Sequence, residues 1–422
     1  MISEYSSKYA KINKILFLFI LVLLSLILPA AFLHEKTGRV IFYYCSYLSI
    51  LGIIINYKNI ANIFSNAKIA LPFLFLGILF TLWSAISHYQ LQANESKELL
   101  FTPGKRMFLA SLISLYVITM FKREIINHIL LKNIFICSLS CAFIAASTFG
   151  IVQSMLSPER ILLGINRATL TAYAYSALSI AIISIISREV SSKFKYSLLI
   201  STILISIYVI FLTETRSAII IHAGLSMILL GYTMWIDKKI KISYVVLILS
   251  PLIALSIVNS TIIETRFKET TRDISAYSQG NDNTSLGARF SMWKVGAFSF
   301  YEHPFGATQS SRNHFIRDYL VKNHQEKSAV FQFLDVHLHN EIIQYSSLFG
   351  VMGLLVLLYF YVSLIFTNGI SGIIRNPISM IVISTLLYGM TDVLLTSIEF
   401  IVVISTLIIV SYMICYKDKK TT

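Results

Sequence analysis

Runs of roughly 18 or more apolar residues, each long enough as a helix to cross ~30 Å of hydrocarbon, recur along nearly the whole 422-residue chain. Hydrophobic residues fill 56% of positions and charged residues only 13%, a balance that a water-soluble core of this size would not need. The class that follows is an all-α polytopic membrane protein. The first run, Ile15 to Leu33, is too long for the apolar region of a signal peptide and lacks a convincing small-residue cleavage site, so it reads as helix one.

The pattern predicts twelve spans at 14–33, 40–57, 68–87, 106–121, 133–155, 168–187, 196–213, 216–236, 242–258, 340–367, 377–395 and 397–415. An even number returns both ends to one side, and Lys/Arg placement selects the side. With the N-terminus inside, the short inner segments hold eighteen Lys/Arg, in groups such as Lys8, Lys11 and Lys14, Lys238, Lys239 and Lys241, and Lys417, Lys419 and Lys420. The short outer segments hold eight: Lys36, Arg39, Lys97, Lys105, Arg106, Arg160, Arg167 and Arg216. Both termini are therefore expected in the cytoplasm. Much of the +14 formal charge is then an orientation signal that calls for no nucleic-acid partner, and the basic tail reads as a membrane-surface anchor.

Only 259–338 is long and polar enough to be a small domain, and in this topology it faces outward. It divides the chain into helices one to nine (1–258), an outward, partly helical loop between helices nine and ten (259–338), and the last three helices with the basic tail (339–422). Loops of that length are usually functional. It opens on a mixed-charge run from Glu264 to Asp273, passes a polar turn at Gln279 to Thr284, and resumes helical patterning around Leu286 to Phe300. Its basic residues nearly balance its acidic ones, so individual arginines, and no general positive field, would bind anions.

Four cysteines lie in or beside apolar runs, with no disulfide framework or zinc spacing. Cys137 and Cys141, one helical turn apart, read as small residues at a helix contact.

The polar residues that stand out gather at the outer boundary. Arg216, in Thr213-Glu-Thr-Arg-Ser-Ala, is either an interfacial snorkeller or an anion ligand. The second reading draws on the planar guanidinium fork, which grips phosphate oxygens in pairs. Arg289 and Trp293 in Gly287-Ala-Arg-Phe-Ser-Met-Trp are one turn apart and share a helix face, followed by His303-Pro-Phe-Gly306; Arg289 alone could equally be a solvated arginine. His339, in Val336-His-Leu-His-Asn-Glu-Ile-Ile-Gln344, is either an interfacial histidine bonded to a carbonyl or a base able to take a hydroxyl proton. His337 and His339 with Asp335 or Glu341 would permit a metal site, though no matching third cluster appears elsewhere. Asp392, in an apolar stretch, needs a partner, for which Arg216 or Arg289 is the obvious candidate. His222, inside helix eight, reads as an interhelical hydrogen bonder.

Taken in order, the Thr-Arg-Ser-Ala junction, the Gly-x-Arg-x3-Trp with His-Pro-x-Gly, and the His-Asn-Glu start of helix ten resemble the O-antigen ligase and polymerase superfamily over nearly the whole chain. The length and the long outer loop look like the enterobacterial lipopolysaccharide O-antigen ligases. That resemblance implies a GT-C-like inverting glycosyltransferase of the bacterial inner membrane, with no metal or cofactor and a periplasmic active site. Its partners would be an undecaprenyl-diphosphate-linked O-antigen donor, a lipid A-core acceptor and the surrounding membrane lipids. The family's two essential arginines and its histidine match Arg216, Arg289 and His339, with Trp293, His337 and Asp392 expected beside them on the substrate. An O-antigen polymerase, a protein-glycosylating relative and a lipid-linked glycan transporter are the alternatives. Transporters, however, tend to concentrate broken helices and charge near the midplane.

Overall fold

The computed structural model describes residues 2–34, 36–57, 66–91, 100–123, 126–191, 193–239 and 260–416, and among these every regular element is helical. The helices are α1 (Ile2–Leu33), α2 (Thr37–Ile55), α3 (Ala70–Leu91), α4 (Thr102–Lys122), α5 (His128–Leu156), α6 (Ala168–Glu189), α7 (Lys195–Leu212), α8 (Arg216–Ile236), α9 (Ser260–Ser278), α10 (Ser285–Glu302), α11 (Gln309–Lys322), α12 (Glu341–Ile365), α13 (Pro377–Gly389) and α14 (Ile398–Cys415). Ten of them are long and apolar enough to cross a membrane. The chain is thus an all-α, multi-pass membrane protein.

The expected spans are matched helix by helix, with two differences. The span at 242–258 lies outside the described residues. The span at 377–395 is realised as the shorter α13, which stops at Gly389, and residues 390–397 form an irregular strap. The physical cause is a carboxylate fifty residues away. Glu341, buried at the start of α12, accepts the Leu394 and Leu395 amides (3.1 and 2.7 Å) and the Tyr361 hydroxyl (2.5 Å), taking amides that a longer helix would have used internally.

α6 is enclosed on all sides, touching α5, α7, α8, α13 and α14. Its Ala and Ser positions allow that close approach, and several of its polar groups are paired internally. Ser176 Oγ meets Tyr388 Oη (2.6 Å) and His222 Nδ1 (2.9 Å), while the other nitrogen of His222 meets Ser206 Oγ (2.8 Å). His222 is therefore the buried interhelical hydrogen bonder expected of it. Cys137 and Cys141 correct the reading given them: both are exposed on α5 and are not buried at a helix contact among the described residues.

Beyond this bundle, α10 and α11 with the 329–338 turn enclose a second, smaller core around Met292, Val295, Ile316, Leu320, Val330, Leu334 and Leu338. α11 was not visible in the hydropathy pattern. Its Thr308 cap accepts the Ser311 amide (3.2 Å), and Arg312, fully buried, spans from Asn313 to Gln344 and Ser347 on α12.

α12 is broken at Gly350 (φ +62°), and the His303-Pro-Phe-Gly306 turn fills the gap. The Val351 amide donates to the Pro304 carbonyl and the Ala307 amide to the Leu348 carbonyl, both at 2.9 Å. A Cβ on Gly350 would lie 2.2 Å from the Pro304 oxygen, and one on Gly306 (φ +89°) would lie 2.5 Å from the Leu348 oxygen. Both positions require glycine for conformation and for space. The Leu348 carbonyl at the break is taken by the Ala307 amide, unlike the unwound carbonyls that coordinate ions in transporters.

Candidate active site

At the end of the bundle where α8 begins and α13 stops, the chain from His337 to Ile343 turns sharply into α12. His339 sits in the left-handed region (φ +49°), a conformation that persists only where its surroundings impose it. Four hydrogen bonds and the burial of Leu338 do so here. Trp293 Nε1 donates to the His339 carbonyl (3.3 Å), Leu338 is buried in the small core, and the Leu338 amide donates to Gln344 Oε1 (3.0 Å). Asn340 caps α12 through the Ile343 amide (3.1 Å) while its own amide donates to the Met390 carbonyl (3.0 Å). That last bond ties the turn to the strap.

The strap brings Asp392 to the two histidines. Asp392 Oδ1 lies 3.4 Å from His339 Nδ1, within ion-pair reach although off the line of a hydrogen bond, and 3.8 Å from His337 Nε2. The imidazole rings stand nearly perpendicular, 4.2 Å apart. Burial pushes the His337 pKa down to about 4, helped by His339 and by Arg167 and Arg289, with Asp392 opposing. Burial acts to raise the Asp392 carboxyl, but the two histidines outweigh it and leave it below the usual carboxylate range. With His337 held neutral at physiological pH, the carboxylate depends chiefly on the nearer ring, His339.

The two arginines are held differently. Arg216 opens α8 and reaches to α9, with Nη2 2.5 Å from Glu269 Oε2 and Nη1 3.1 Å from Thr270 Oγ1. Arg160 braces the junction by donating to the Thr213 carbonyl (2.7 Å) and Thr215 Oγ1 (2.9 Å). Arg289, one turn into α10 and half-buried, forms no hydrogen bond or ion pair among the described residues. Neither guanidinium pairs with Asp392, which corrects the expectation drawn from sequence: a histidine pair nearer in space satisfies the carboxylate. The Arg216 junction still touches the strap, because Tyr173 Oη meets Ser217 Oγ at 2.9 Å and Thr391 Oγ1 at 3.3 Å.

His337, His339 and Asp392 present three ligand atoms within 4.8 Å of one another, a donor set of the kind that holds a divalent transition metal. Asp335 and Glu341, weighed as third ligands from sequence, are engaged elsewhere. Asp335 accepts from Asn313 (2.9 Å) and pairs with Arg317 (3.4 Å), and Glu341 clamps the strap. Trp293 lies where expected, one turn from Arg289, and its visible contact is with the His339 carbonyl. Sequence reasoning missed Arg167, Tyr173 and the clamping role of Glu341. Only Glu341, an acidic residue opening an apolar helix, left a signal.

A polytopic membrane protein that collects two histidines, a carboxylate and two arginines at one end of its bundle has the equipment of an enzyme acting on anionic, membrane-borne substrates. Residues 201–358, which include Arg216, Arg289 and His339, match the family model described as O-antigen ligase. The O-antigen ligase of Escherichia coli (strain K12) is 31% identical over 228 residues, 54% of this chain and 54% of that protein. An uncharacterized protein of Haemophilus influenzae (strain ATCC 51907 / DSM 11121 / KW20 / Rd) is 33% identical over 141 residues, 33% of this chain and 35% of its own length. The chain thus spans about half the length of the first curated relative and about a third of the second. The resemblance read from the motifs is borne out over these stretches: the chain is similar to an O-antigen ligase over about half of its length.

Proposed function

We propose that the chain is a glycosyltransferase that moves O-antigen polysaccharide from undecaprenyl diphosphate onto the lipid A-core oligosaccharide, at the periplasmic face of the inner membrane with both termini cytoplasmic. The observation that carries this reading is the His339–Asp392 pair together with a half-buried Arg289 that has no anionic partner among the described residues. With Nδ1 turned to the carboxylate, Nε2 of His339 is free to act as general base. It would take the acceptor hydroxyl proton as that oxygen bonds the anomeric carbon from the face opposite the diphosphate. The anomeric carbon–oxygen bond breaks and its electron pair leaves with undecaprenyl diphosphate. Arg289 and Arg216 would hold the diphosphate and offset the charge growing on it, a contribution worth roughly 10²–10³ in rate per donor. The general base would add about 10²–10⁴. Trp293, through the His339 carbonyl, and His337 would position the base, and Asp392 would orient it.

Both substrates carry lipid tails, which would enter laterally between helices while their polar parts meet under the segment 259–338. On this reading that segment helps choose the acceptor. Exchanging it between related chains should move acceptor preference, and an unchanged preference would remove that role.

The metal-capable trio supports a second version, in which a cation at His337, His339 and Asp392 replaces the base. Purified protein in detergent, given both lipid substrates and no gradient, separates these readings from each other and from transport. Ligated product with chelator present is expected. Product only when divalent metal is restored would favour the second version, and no product in one compartment would favour a transporter. In cells, loss of a ligase leaves polymer on the carrier lipid and bare core, whereas loss of a polymerase leaves single-unit caps.

A further inference from the structure

α10 has two working faces. Trp293 turns toward His339, while Ser291 and Lys294, 100° to 200° around the helix from it, line a separate cavity of about 660 Å³ between the α9–α10 turn and the end of α11. Its wall also includes Tyr277, Asn281, Tyr319 and Gln325. The volume lies in the range of ligand-binding clefts, roughly 300–1,000 Å³. The two lips are fixed to each other: Asp282 accepts the Ser328 hydroxyl (2.5 Å) and the Ala329 amide (3.0 Å), and Asn283 donates to the Lys327 carbonyl (3.2 Å). Inside that fixed frame, the side chains of Lys294 and Gln325 form no hydrogen bond or ion pair among the described residues. A preformed cleft with two tyrosine rings and idle amide and ammonium donors suits a ligand that combines apolar C–H faces with many hydroxyls.

We propose that this cleft is a second saccharide-binding site, which holds sugar units of a substrate glycan about one helix diameter, ~10 Å, from His339. It rests on the glycosyl-transfer reading and adds a specificity site remote from the reacting residue. A glycan held there is anchored on the far side of the helix that carries Arg289 and Trp293. The same chemistry could come from the acceptor oligosaccharide or from the donor polysaccharide.

The test uses the full chain in detergent carrying His339→Gln, so that binding is read without turnover. Lipid-free core oligosaccharide and lipid-free O-polysaccharide, each released by mild acid, are titrated separately by saturation-transfer NMR. One of the two is expected to bind, which identifies the source. Adding Asn281→Ala, Lys294→Ala and Gln325→Ala, all at exposed positions, should weaken that binding at least about tenfold, given ~1 kcal/mol per hydrogen bond lost. In the otherwise native protein the same triple change should raise KM for the substrate bearing that glycan and leave kcat alone. Failure of both glycans to bind, or equal binding by the triple variant, overturns the proposal. If binding falls as expected while the native chain forms no ligated product, the cleft stands and the ligase reading fails.

Discussion

Among the described residues, two apolar helical stretches, at Gly350 and after Gly389, are interrupted, and they are sealed in opposite ways. In α12 the break at Gly350 is closed by backbone alone, with the Pro304 carbonyl and the Ala307 amide standing in for missing helical partners. Between α13 and α14 the break is closed by a side chain, the Glu341 carboxylate, which holds the strap amides. A backbone seal has no ionisable part and one geometry, so it joins the small outer core to the bundle. The carboxylate seal is only as fixed as one ionisable side chain, and the strap it holds presents Asp392 to His339. The comparison suggests that one break serves the fold and the other serves the chemistry, and substitutions on either side should separate accordingly.

The largest effect is expected on the chemical side. His339→Gln should fold normally yet lose about 10³-fold in transfer rate, equivalent to ~4 kcal/mol of barrier, read by initial rates alongside thermal unfolding in detergent. Gly350→Ala should do the reverse. A side chain at that φ, pressed on the Pro304 oxygen, should cost about 3 kcal/mol, seen as a lowered unfolding temperature and poor membrane yield. Glu341→Gln falls between the two, because an uncharged oxygen accepts the strap amides more weakly and the new NH₂ obliges the Tyr361 hydroxyl to accept instead of donate. A loss of ~1–3 kcal/mol should appear in stability and in rate together, and an effect on only one of them would break the distinction drawn here. Trp293→Phe removes the 3.3 Å bond to the His339 carbonyl and keeps an aromatic ring. It should cost ~1 kcal/mol, felt mainly in kcat.

The last effect is a pH dependence. The His337 pKa is about 4 in the folded protein against 6.5 for an unperturbed histidine, so below pH ~6.5 the unfolded chain binds more protons than the native one. Its contribution to stability is full above that value and is lost as pH falls toward 4. Unfolding temperature measured from pH 7.5 to 4.5 should decline more steeply for the parent than for His337→Gln.

The spans were legible because run length in an apolar sequence is itself the physical requirement for crossing a bilayer. The helical part of 259–338 was legible around Leu286–Phe300, where α10 stands, whereas the stretch that forms α9 showed only as a mixed-charge run from Glu264 to Asp273. The break at Gly350 was not, since a backbone interruption leaves hydropathy unchanged. Nor was the early end of α13: Val393, Leu394 and Leu395 continue the apolar pattern, and the group that captures their amides comes from another helix. At the site, the types of residue and their gathering at one end could be read, whereas the pairing of Asp392 with histidines instead of arginines required the strap's path in space. Arg312 and α11 lay in polar sequence with no period to betray a helix.

The claim on which the account turns is that His339, set against Asp392, activates the acceptor while Arg289 holds the donor diphosphate. The most direct measurement is single-turnover transfer from a lipid-linked donor by purified Arg289→Ala and His339→Gln proteins, with donor affinity determined in parallel. Weakened donor binding in the first, and undiminished donor binding with almost no transfer in the second, are the predicted results. Parental single-turnover rates from both proteins would contradict it.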